Sequence, residues 1–360
     1  MEVSLQLPLN NLSFGQVSIC LLQEFHKRGL EPCLFPVNED VSSYFLSKDF
    51  IEWIKSCIKK GPRFHNRDVP VFRLWHLNTH AQSSVSDKQT LFSFYELDSP
   101  TPTEVNIAKN QHKLIFSSKH SVDVFSEHGV PSHHIPLGFD KNHFKRLDKK
   151  YYDDDRIVFN ICGKLEKRKR HKKMIRAWAK RFGNDKKYHL QCAIHNPFLK
   201  KEMPALLSRI LDGQHYFNIQ FLDFMDKNLT YNDFLNSGDI ILGMSGAEGW
   251  GLPEFHSTAI GKHSVILNAS GYKEWANKEN SVLVEPSEKI KAADGMFFHE
   301  KGEYNQGRIF DFNEDGFIDG CEQAIKRLES NKTNEKGLEL QKDFTYAKTA
   351  EAILDLIKNA

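Results

Sequence analysis

Short apolar runs alternate with helical patterns along this chain of 360 residues. Residues 3–7 are predicted to form a strand, 10–15 a turn, 16–28 a helix with its apolar positions on one face, and 31–37 the next strand. A strand, a turn with glycine, a helix and a strand in this order form a parallel βαβ unit. The first part of the chain is therefore predicted to build a parallel sheet covered by helices.

The same order recurs in the second half of the chain. Residues 239–242 form an apolar run that leads into a glycine-rich turn, Pro253 opens a helix, and residues 264–267 restart a strand. Between the two halves, the charged run 148–155 has no apolar pattern and is typical of a linker. We therefore expect an α/β protein with two parallel-sheet domains and a boundary near residue 150.

The turn before Pro253 carries residues that suit a ligand. Gly246, Gly249 and Gly251 let the backbone come close to a bound group, and the free N–H groups of a helix N-terminus attract an anion such as phosphate. Glu248 would repel a phosphate, so we expect it to accept hydrogen bonds from sugar hydroxyls. An ordinary strand-to-helix crossover is the alternative interpretation of this stretch.

These residues resemble a known signature. The segment 245–253, SGAEGWGLP, resembles the S-x-x-E-G-F-G-L-P motif of retaining nucleotide-sugar glycosyltransferases of the family-four type, and 259–266, AIGKHSVI, resembles its A-x-G-x-P-V-I continuation. The resemblance implies the GT-B fold, in which two Rossmann-like domains face each other across a cleft and a C-terminal helix crosses back to the first domain. It also implies that the motif binds the donor through Ser245, Gly246, Glu248, Gly249, Trp250, Gly251 and Leu252.

One position departs from the family pattern. The family carries a second glutamate eight residues after the first, where it binds the ribose of the nucleotide, and His256 occupies that position here. A histidine ring nitrogen can also form a hydrogen bond with a ribose hydroxyl. His256 is therefore a further candidate for donor binding.

A basic run follows the strand predicted over residues 156–162. The sequence GKLEKRKR at 163–170 resembles the family's G-R-L-x-x-x-K-G motif, whose two cations hold the donor pyrophosphate and correspond to Lys164 and Lys169. Lysine replaces the usual arginine and so lacks its two-pronged hydrogen bonding, and Arg170 stands where glycine is expected. A nuclear-localisation or nucleic-acid patch, or a solvated helix face, is the alternative.

Three positions in the first half complete the predicted cleft. The resemblance places Gly15 in a loop over the donor phosphates, His76 at a strand end where it contacts the donor sugar, and Glu96 in an E-x-D segment on the acceptor side. Ligands of parallel sheets bind at the carboxyl ends of the strands, which is where these residues are expected. The alternatives are an ordinary tight turn, a core histidine and a capped turn. Glu248, His76 and Lys169 are the predicted catalytic residues.

A second basic stretch contains Arg63 and Arg67. It follows a helix predicted over residues 50–59 that ends at Gly61 and Pro62. The two arginines form either a solvated basic face or a contact for a phosphorylated or nucleic-acid acceptor.

The segment 311–322 matches the spacing of a calcium-binding loop, from Asp311 to a final Glu322. The residues before it make a poor entering helix, and the site is unpaired. We therefore interpret this segment as the acidic, capped start of a helix over residues 318–328. Neither a metal nor a cofactor is expected to be required.

Composition adds little to this picture. The net charge of +2 does not require a polyanionic partner. The six cysteines lie far apart without a C-x-x-C pair, which is typical of reduced thiols in the cytosol. No apolar run approaches the roughly 18 residues needed to span a bilayer. We expect a cytoplasmic protein without a transmembrane segment.

The motifs together predict a retaining, metal-independent glycosyltransferase of the hexosyltransferase type. It would move a sugar from a nucleotide diphosphate sugar to a hydroxyl of a glycan, a small molecule or DNA. Residues 1–150 would form the acceptor-side domain, 151–340 the nucleotide-sugar-binding domain, and 341–360 a helix returning to the first domain. The alternatives are a DNA-modifying glycosyltransferase acting on a hydroxylated base, and a non-catalytic binding module that kept the GT-B fold.

Overall fold

Six parallel strands joined by helices form the first of two sheets. The computed structural model describes residues 2–42, 44–83 and 85–358. The strands are β1 (Ser4–Leu9), β2 (Cys33–Glu39), β3 (Val71–Leu74), β4 (Gln89–Ser93), β5 (Lys113–Phe116) and β6 (His133–His134), in the spatial order β2-β1-β3-β4-β5-β6. The helices are α1 (Ser13–Lys27), α2 (Lys48–Phe64), α3 (Thr79–Gln82), α4 (Pro102–Lys109) and α5 (Lys119–Ser126).

The second sheet follows the same plan. Its strands are β7 (Ile157–Cys162), β8 (Tyr188–Ala193), β9 (Ile219–Phe221), β10 (Ile240–Gly243), β11 (His263–Leu267) and β12 (Val282–Val284), in the order β12-β11-β10-β7-β8-β9. The helices are α6 (His171–Phe182), α7 (Met203–Ile210), α8 (Asn228–Ser237), α9 (Leu252–Ala259), α10 (Glu314–Ser330), α11 (Glu335–Asp343) and α12 (Tyr346–Lys358). Short 3₁₀ helices span Lys167–Lys169, Pro197–Leu199 and Ser270–Glu274. The predicted α/β fold with two parallel sheets is confirmed.

The central strands are buried because helices cover both faces of each sheet. All six residues of β7 are buried, and so are all five of β11. Strands that are buried throughout and mostly apolar are typical of parallel sheets, since neither face meets water. Phe159 of β7 packs on Trp178 and Phe182 of α6, which anchors the helix that follows the basic run.

The C-terminal helix α12 lies against the first domain. Its buried residues, among them Ile353, share one core with residues of α1 such as Phe25. Thr349 of α12 donates a hydrogen bond to the carbonyl of Pro136 (2.8 Å), and Arg28 donates one to the carbonyl of Ala347 (3.0 Å). The end of the chain therefore joins the two halves of the molecule.

An antiparallel hairpin, β13 (Pro286–Lys291) and β14 (Arg308–Phe312), extends from the second sheet onto the first domain. Asp98 accepts hydrogen bonds from the Lys289 side chain (2.9 Å) and the Arg308 backbone (2.8 Å). The amide of Asn305, in the loop between the two strands, donates to the carboxylate of Glu104 in α4 (2.9 Å). The hairpin and its loop therefore tie the two domains together beside their interface.

Two local predictions were wrong in their boundaries. Helix α2 does not end before Gly61 but continues through Gly61 and Pro62 to Phe64, because its buried stripe of Phe50, Ile54 and Cys57 extends to Gly61. Helix α10 begins at Glu314, four residues earlier than predicted, because the Asn313 side chain accepts the amide hydrogens of residues 315 and 316.

The segment with calcium-loop spacing is divided between a strand and a helix. Asp311 belongs to β14, where Arg170 and Lys173 bind its carboxylate at 2.6 and 3.1 Å. Among the residues that the structure describes, no group of three or more histidine, cysteine, aspartate or glutamate side chains could hold a metal ion. Within the same residues, no helix has both the length and the apolar character needed to cross a membrane.

Candidate functional site

The carboxyl ends of the two parallel sheets meet at the domain interface. We call this region the cleft: it lies between the residues that follow β1, β3, β4 and β5 and those that follow β7 and β10. Ser117, just after β5, donates a hydrogen bond to the carbonyl of Gly249 after β10 (2.8 Å). A Cβ atom added to Gly249 would lie 2.7 Å from the Cβ of Phe94, so the backbones of the two domains are in close contact there.

The turn after β10 depends on glycine because of its neighbours. A Cβ on Gly246 would lie 2.0 Å from the carbonyl oxygen of Phe310 in β14. The Gly246 amide donates to the Arg168 carbonyl (2.8 Å), and its own carbonyl accepts from the Phe310 amide (2.9 Å). The Gly246 amide is therefore already paired within the protein. Ser245 beside it is buried and also contacts the Arg168 carbonyl (3.2 Å).

The start of α9 offers less to an anion than predicted. Gly251 precedes the helix with φ +82°, and Leu252 and Pro253 open it, so one of the first amides is missing. Glu254 lies in the first turn and is buried; burial raises its pKa to about 7, and the charge of Glu248 adds to this while Lys169 opposes it. An acidic side chain of the protein itself therefore occupies this helix end.

A buried ion cluster occupies the centre of the cleft. The Lys169 ammonium lies 2.5 Å from Oε1 of Glu248, and the Arg168 guanidinium lies 3.1 Å from the same oxygen. All three residues are buried. Burial works against the charged form of Glu248, but the positive charges of Lys169 and Arg168 outweigh it and lower the pKa of this carboxyl. Glu248 is therefore ionised and fixed in position at neutral pH.

Lys164 lies at the more open edge of this cluster. Its ammonium is 3.7 Å from Glu166 and 4.1 Å from the centre of the Phe297 ring, which belongs to the loop between β13 and β14. Burial lowers the pKa of Lys164, and the charges of Arg168 and Lys169 add to this effect. The two predicted phosphate-binding lysines thus lie in one charged region, Lys169 deeper than Lys164.

Arg168 joins the two domains, and the sequence analysis did not identify it. Its guanidinium contacts Glu166 (2.9 Å) and Glu248 (3.1 Å) in the second domain and Glu96 (3.1 Å) in the first. It also donates to the Ala247 carbonyl (2.7 Å). In the sequence Arg168 is one of several basic residues in a row. Only the 3₁₀ turn over Lys167–Lys169, which directs it inward, distinguishes it from them.

The first domain contributes an aromatic surface and His76 to the cleft. Phe14, after β1, packs its ring 4.3 Å from that of His76 and 4.5 Å from that of Phe94. His76 is exposed to the cleft. Surrounding protein atoms remove part of its water, and Lys164 and Arg168 add positive charge, so the pKa of His76 is lowered to about 4. The imidazole is therefore neutral at pH 7 and can act as a hydrogen-bond partner.

Glu96 follows β4 and reaches Arg168 from the first domain. Burial raises its pKa to about 7; the charges of Glu248 and Glu166 raise it further, whereas Arg168 and Lys169 oppose the shift. Glu96 is thus brought together with the predicted Glu248, Lys164 and Lys169, and with His76 on its own side of the cleft.

Several predicted donor-binding side chains lie elsewhere. The Trp250 indole packs in the core against Phe255 and Phe344, with ring centres 5.4 Å apart in both cases. Leu252 is half-buried at the edge of the same core. Their side chains therefore stabilise the turn after β10 from within the second domain and do not line the ion cluster.

His256 is enclosed by aromatic rings. Its imidazole lies 4.3 Å from the Phe144 ring and 5.7 Å from the Phe139 ring, and burial lowers the pKa of His256 to about 4. Glu254, two residues earlier on α9, is the acidic side chain near Lys169 and Glu248. The acidic residue of α9 thus lies two positions earlier than in the family pattern, and Glu254 instead of residue 256 is close to the ion cluster.

Gly15 lies in the first turn of α1, where a Cβ would come within 2.0 Å of the Asn10 carbonyl oxygen. The glycine is therefore required by the close return of the β1–α1 loop onto the helix. The side chain of its neighbour Gln16 donates to Asp140 and accepts from Asn228 of the second domain (3.1 Å), so this loop also lies at the domain interface.

Arg63 and Arg67 lie at the opposite end of the sheet from the cleft. Helix α2 carries the chain back from the carboxyl end of β2 toward the amino ends of the strands, and His65 contacts Ser4, the first residue of β1 (3.2 Å). Their assignment to the acceptor side was wrong, because a crossover helix between parallel strands must return to the amino ends.

The backbone conformation at Arg170 explains why the family pattern has glycine at this position. The backbone there has φ +56° and ψ +19°, in the left-handed region that favours glycine. The Arg170 side chain compensates by pairing with Asp311 at 2.6 Å.

We expect Arg170→Gly to be more stable than Arg170→Ala by about 1 kcal/mol, since both lose the ion pair and only glycine relieves the left-handed backbone. Urea unfolding of the two variants measures this difference. Equal unfolding midpoints and slopes would contradict the assignment of strain to this residue.

Comparisons with known proteins identify the fold. No protein-family model and no curated protein sequence matches this chain. Among solved structures, sucrose-phosphate synthase from Thermosynechococcus elongatus is 12% identical with a TM-score of 0.67, covering 100% of this chain and 98% of its own. HepE from Anabaena, solved with UDP-glucose, is 15% identical with a TM-score of 0.67 and full coverage of both chains.

A third similar structure is trehalose 6-phosphate synthase from Burkholderia multivorans, which is 10% identical with a TM-score of 0.66, covering 100% of this chain and 99% of its own. These identities are low, and the coverage extends over both domains in each case. The chain therefore has the two-domain GT-B fold of the glycosyltransferases, as its motifs predicted.

Proposed function

We propose that this protein is a glycosyltransferase that moves a hexosyl group from a nucleotide diphosphate sugar to a hydroxyl acceptor, with retention of the anomeric configuration and without a metal ion. The first domain would bind the acceptor and the second the donor. The observation that supports this most is the buried contact of Lys169 and Arg168 with Glu248, at the point where the carboxyl ends of both sheets meet.

The leaving diphosphate gains negative charge as the glycosidic bond breaks. Fixed cations stabilise such developing charge well, because they need no rearrangement during the reaction. Lys164 and Lys169 supply two cations in one region of the cleft, and they would take the role that a divalent metal plays in other active sites. This supports a reaction that requires no metal ion.

Glu248 would hold the donor sugar. Lys169 and Arg168 use the same oxygen of its carboxylate, and both contacts keep the group ionised, so it is a strong acceptor for sugar hydroxyls. His76, neutral at pH 7, would add a hydrogen bond from the first domain. Attack by the acceptor from the side of the leaving group would then retain the configuration.

The ligands of one structural neighbour guide the choice of nucleotide. HepE was solved with UDP and glucose and also with UDP-glucose. We therefore place UDP first among the nucleotides to be tested with this protein.

A thermal-shift screen with UDP, GDP, ADP, CDP and dTDP tests the proposal. A nucleotide at about 100 times its dissociation constant adds about 2.7 kcal/mol to the stability of the native state. We expect a rise in Tm of several degrees with one of the five, without added metal ion and in the presence of EDTA. If none of them raises Tm, the second domain does not bind a nucleotide and the proposal is wrong.

A further inference from the structure

We propose that Glu96 accepts the proton of the acceptor hydroxyl during transfer, and that Arg168 holds Glu96 in place from the opposite domain. The proposal rests on the sugar transfer proposed above. It gives Glu96 a chemical role in the reaction, and it makes Arg168 a positioning residue that links the acceptor side to the donor side.

Glu96 is the accessible carboxylate of the ion cluster. Its side chain is 25% exposed, whereas those of Glu166 and Glu248 are 2% and 7% exposed. Glu96 comes from the first domain, directly after β4, while the other two come from the second. An acceptor that enters along the first domain therefore meets Glu96 before it meets the other carboxylates.

The geometry leaves one oxygen of Glu96 available. Arg168 binds Oε1 at 3.1 Å, and no described residue donates a hydrogen bond to Oε2. Arg168 is itself fixed by Glu166 and by the Ala247 carbonyl. An ion pair with Arg168 therefore holds one oxygen, and the other can accept a hydrogen bond from a substrate hydroxyl.

The charges that face Glu96 all come from the second domain. Arg168 and Lys169 favour its ionised form, while Glu248 and Glu166 disfavour it, and Lys164 lies close enough to interact with it. Together with burial these charges set its pKa to about 7. A general base works best when its pKa is near the operating pH, because it is then both ionised and sufficiently basic.

The two other candidates are weaker bases. The pKa of His76 is lowered to about 4, because surrounding protein atoms remove part of its water and Lys164 and Arg168 add positive charge. Glu248 has a lowered pKa because Lys169 and Arg168 bind it. Of these three residues, Glu96 is therefore the strongest base.

Aromatic rings next to Glu96 indicate the class of acceptor. Phe94 is two residues before Glu96, and its ring packs on Phe14, which also contacts Trp75 and His76. Binding sites commonly combine such apolar surfaces with a few placed polar groups. The combination fits a compound with an apolar ring face and hydroxyl groups at its edge, such as a sugar.

The step balances without a further reactant. A bond forms between the acceptor oxygen and the anomeric carbon, and the bond from that carbon to the diphosphate oxygen breaks. Its electron pair leaves with the diphosphate. The proton of the acceptor hydroxyl moves to Oε2 of Glu96 and is released to water after the products leave.

Nucleotide release from UDP-, GDP-, ADP-, CDP- and dTDP-glucose tests the proposal, with water and then free glucose as the acceptor. General base catalysis contributes about 10²- to 10⁴-fold. We expect Glu96→Gln to lower the release of nucleotide by about 100-fold or more, with the nucleotide-induced rise in Tm unchanged. Glu127→Gln is the matched control, because Glu127 is an exposed carboxylate at the end of α5. It should match the unmodified protein.

The pH profile separates a chemical role from a structural one. Since ionised Glu96 is the active form, kcat/KM of the unmodified protein should fall tenfold per pH unit below about pH 7. This acid limb of the pH profile should be absent in Glu96→Gln. Arg168→Lys should move the limb to higher pH. Nη2 of Arg168 contacts Glu96 and Glu166, whereas Nη1 contacts Glu248 and the Ala247 carbonyl, and the single nitrogen of a lysine cannot replace both. A limb unchanged in both variants would overturn the proposal.

The outcomes distinguish this inference from the proposed function. If the unmodified protein releases no nucleotide and its Tm does not respond, the glycosyltransferase proposal fails and this inference fails with it. If release is normal and Glu96→Gln is equally active, only the role of Glu96 fails. Should Glu96→Gln not fold, Glu96→Asp provides the test, because it moves the carboxylate by about 1 Å. The rate should fall by tenfold or more, and the acid limb of the pH profile should be retained. A rate within twofold of normal would overturn the proposal.

Discussion

Replacing Lys169 with alanine should lower kcat by about 10²- to 10³-fold, the range observed when one fixed donor to a developing negative charge is removed. Lys169 is buried and contacts Glu248 at 2.5 Å, so water cannot easily replace its charge. The loss should also affect the ground state, since Lys169 would bind the diphosphate. We therefore expect the rise in Tm with UDP, or with the nucleotide that the screen identifies, to be reduced or lost.

The fold should survive this change. Removing one partner of a buried ion pair costs about 3–5 kcal/mol when the other charge is left alone. Glu248 keeps its contact with Arg168 at 3.1 Å, so the cost should be smaller. Lys172→Ala is the matched control, because Lys172 is an exposed lysine on α6 three residues away. Normal turnover in Lys169→Ala would remove Lys169 from the proposed mechanism.

Gly246→Ala is expected to have the largest effect on stability. The new Cβ would lie 2.0 Å from the Phe310 carbonyl oxygen, and both backbones are fixed there by the hydrogen bond between Phe310 and Gly246. Overpacking commonly costs about 1–3 kcal/mol and sometimes more. Because backbone cannot move aside as a flexible side chain can, we expect a loss above about 3 kcal/mol. A Tm decrease of about 6 °C or more corresponds to this loss in a large domain.

Gly316→Ala serves as the control for this prediction. Gly316 lies in α10, and a Cβ there meets no atom within 4 Å. Alanine in a helix is more favourable than glycine by up to about 1 kcal/mol, so Tm should rise slightly. If Gly246→Ala melts like the unmodified protein, the turn after β10 is not packed against β14 as described.

The effect of Gly246→Ala on the cleft follows from its connections. The Gly246 amide binds the carbonyl of Arg168, whose side chain contacts Glu96 and Glu248. A displaced turn would therefore move the guanidinium and weaken the contact between the domains. Nucleotide release should fall together with stability in this variant, in contrast to Lys169→Ala, where the two are expected to separate.

The sequence by itself determined the architecture and the principal charged residues. Mostly apolar runs indicated most strands, because a strand covered on both faces is buried throughout. The motif spacing indicated Lys164, Lys169 and Glu248, and the structure brings all three into one cluster. Such residues could be found because they follow directly after predicted strands, at the end of the sheet where ligands bind.

Only the tertiary structure decided which side chains of the polar stretches face the cleft. Arg168 is one of several neighbouring basic residues, and its inward direction depends on a 3₁₀ turn and on Glu96, a partner 72 positions away in another domain. Trp250 lies within the motif and His256 three residues after it, yet their side chains pack against the core rings Phe344 and Phe144. The direction of a side chain in a turn depends on what packs against it, and the local sequence does not contain that information.

The same reasoning explains Arg63, Arg67 and Glu254. The sequence shows that a basic helix follows β2. Because α2 connects two parallel strands, its C-terminal end returns to the amino ends of the strands, away from the cleft. On α9, residues 254 and 256 point in opposite directions, so the packing of the helix on β10 decides which of them is near Lys169. The sequence pattern thus specified the strands and helices of the two βαβ units, and the contact between the two domains specified which side chains form the site.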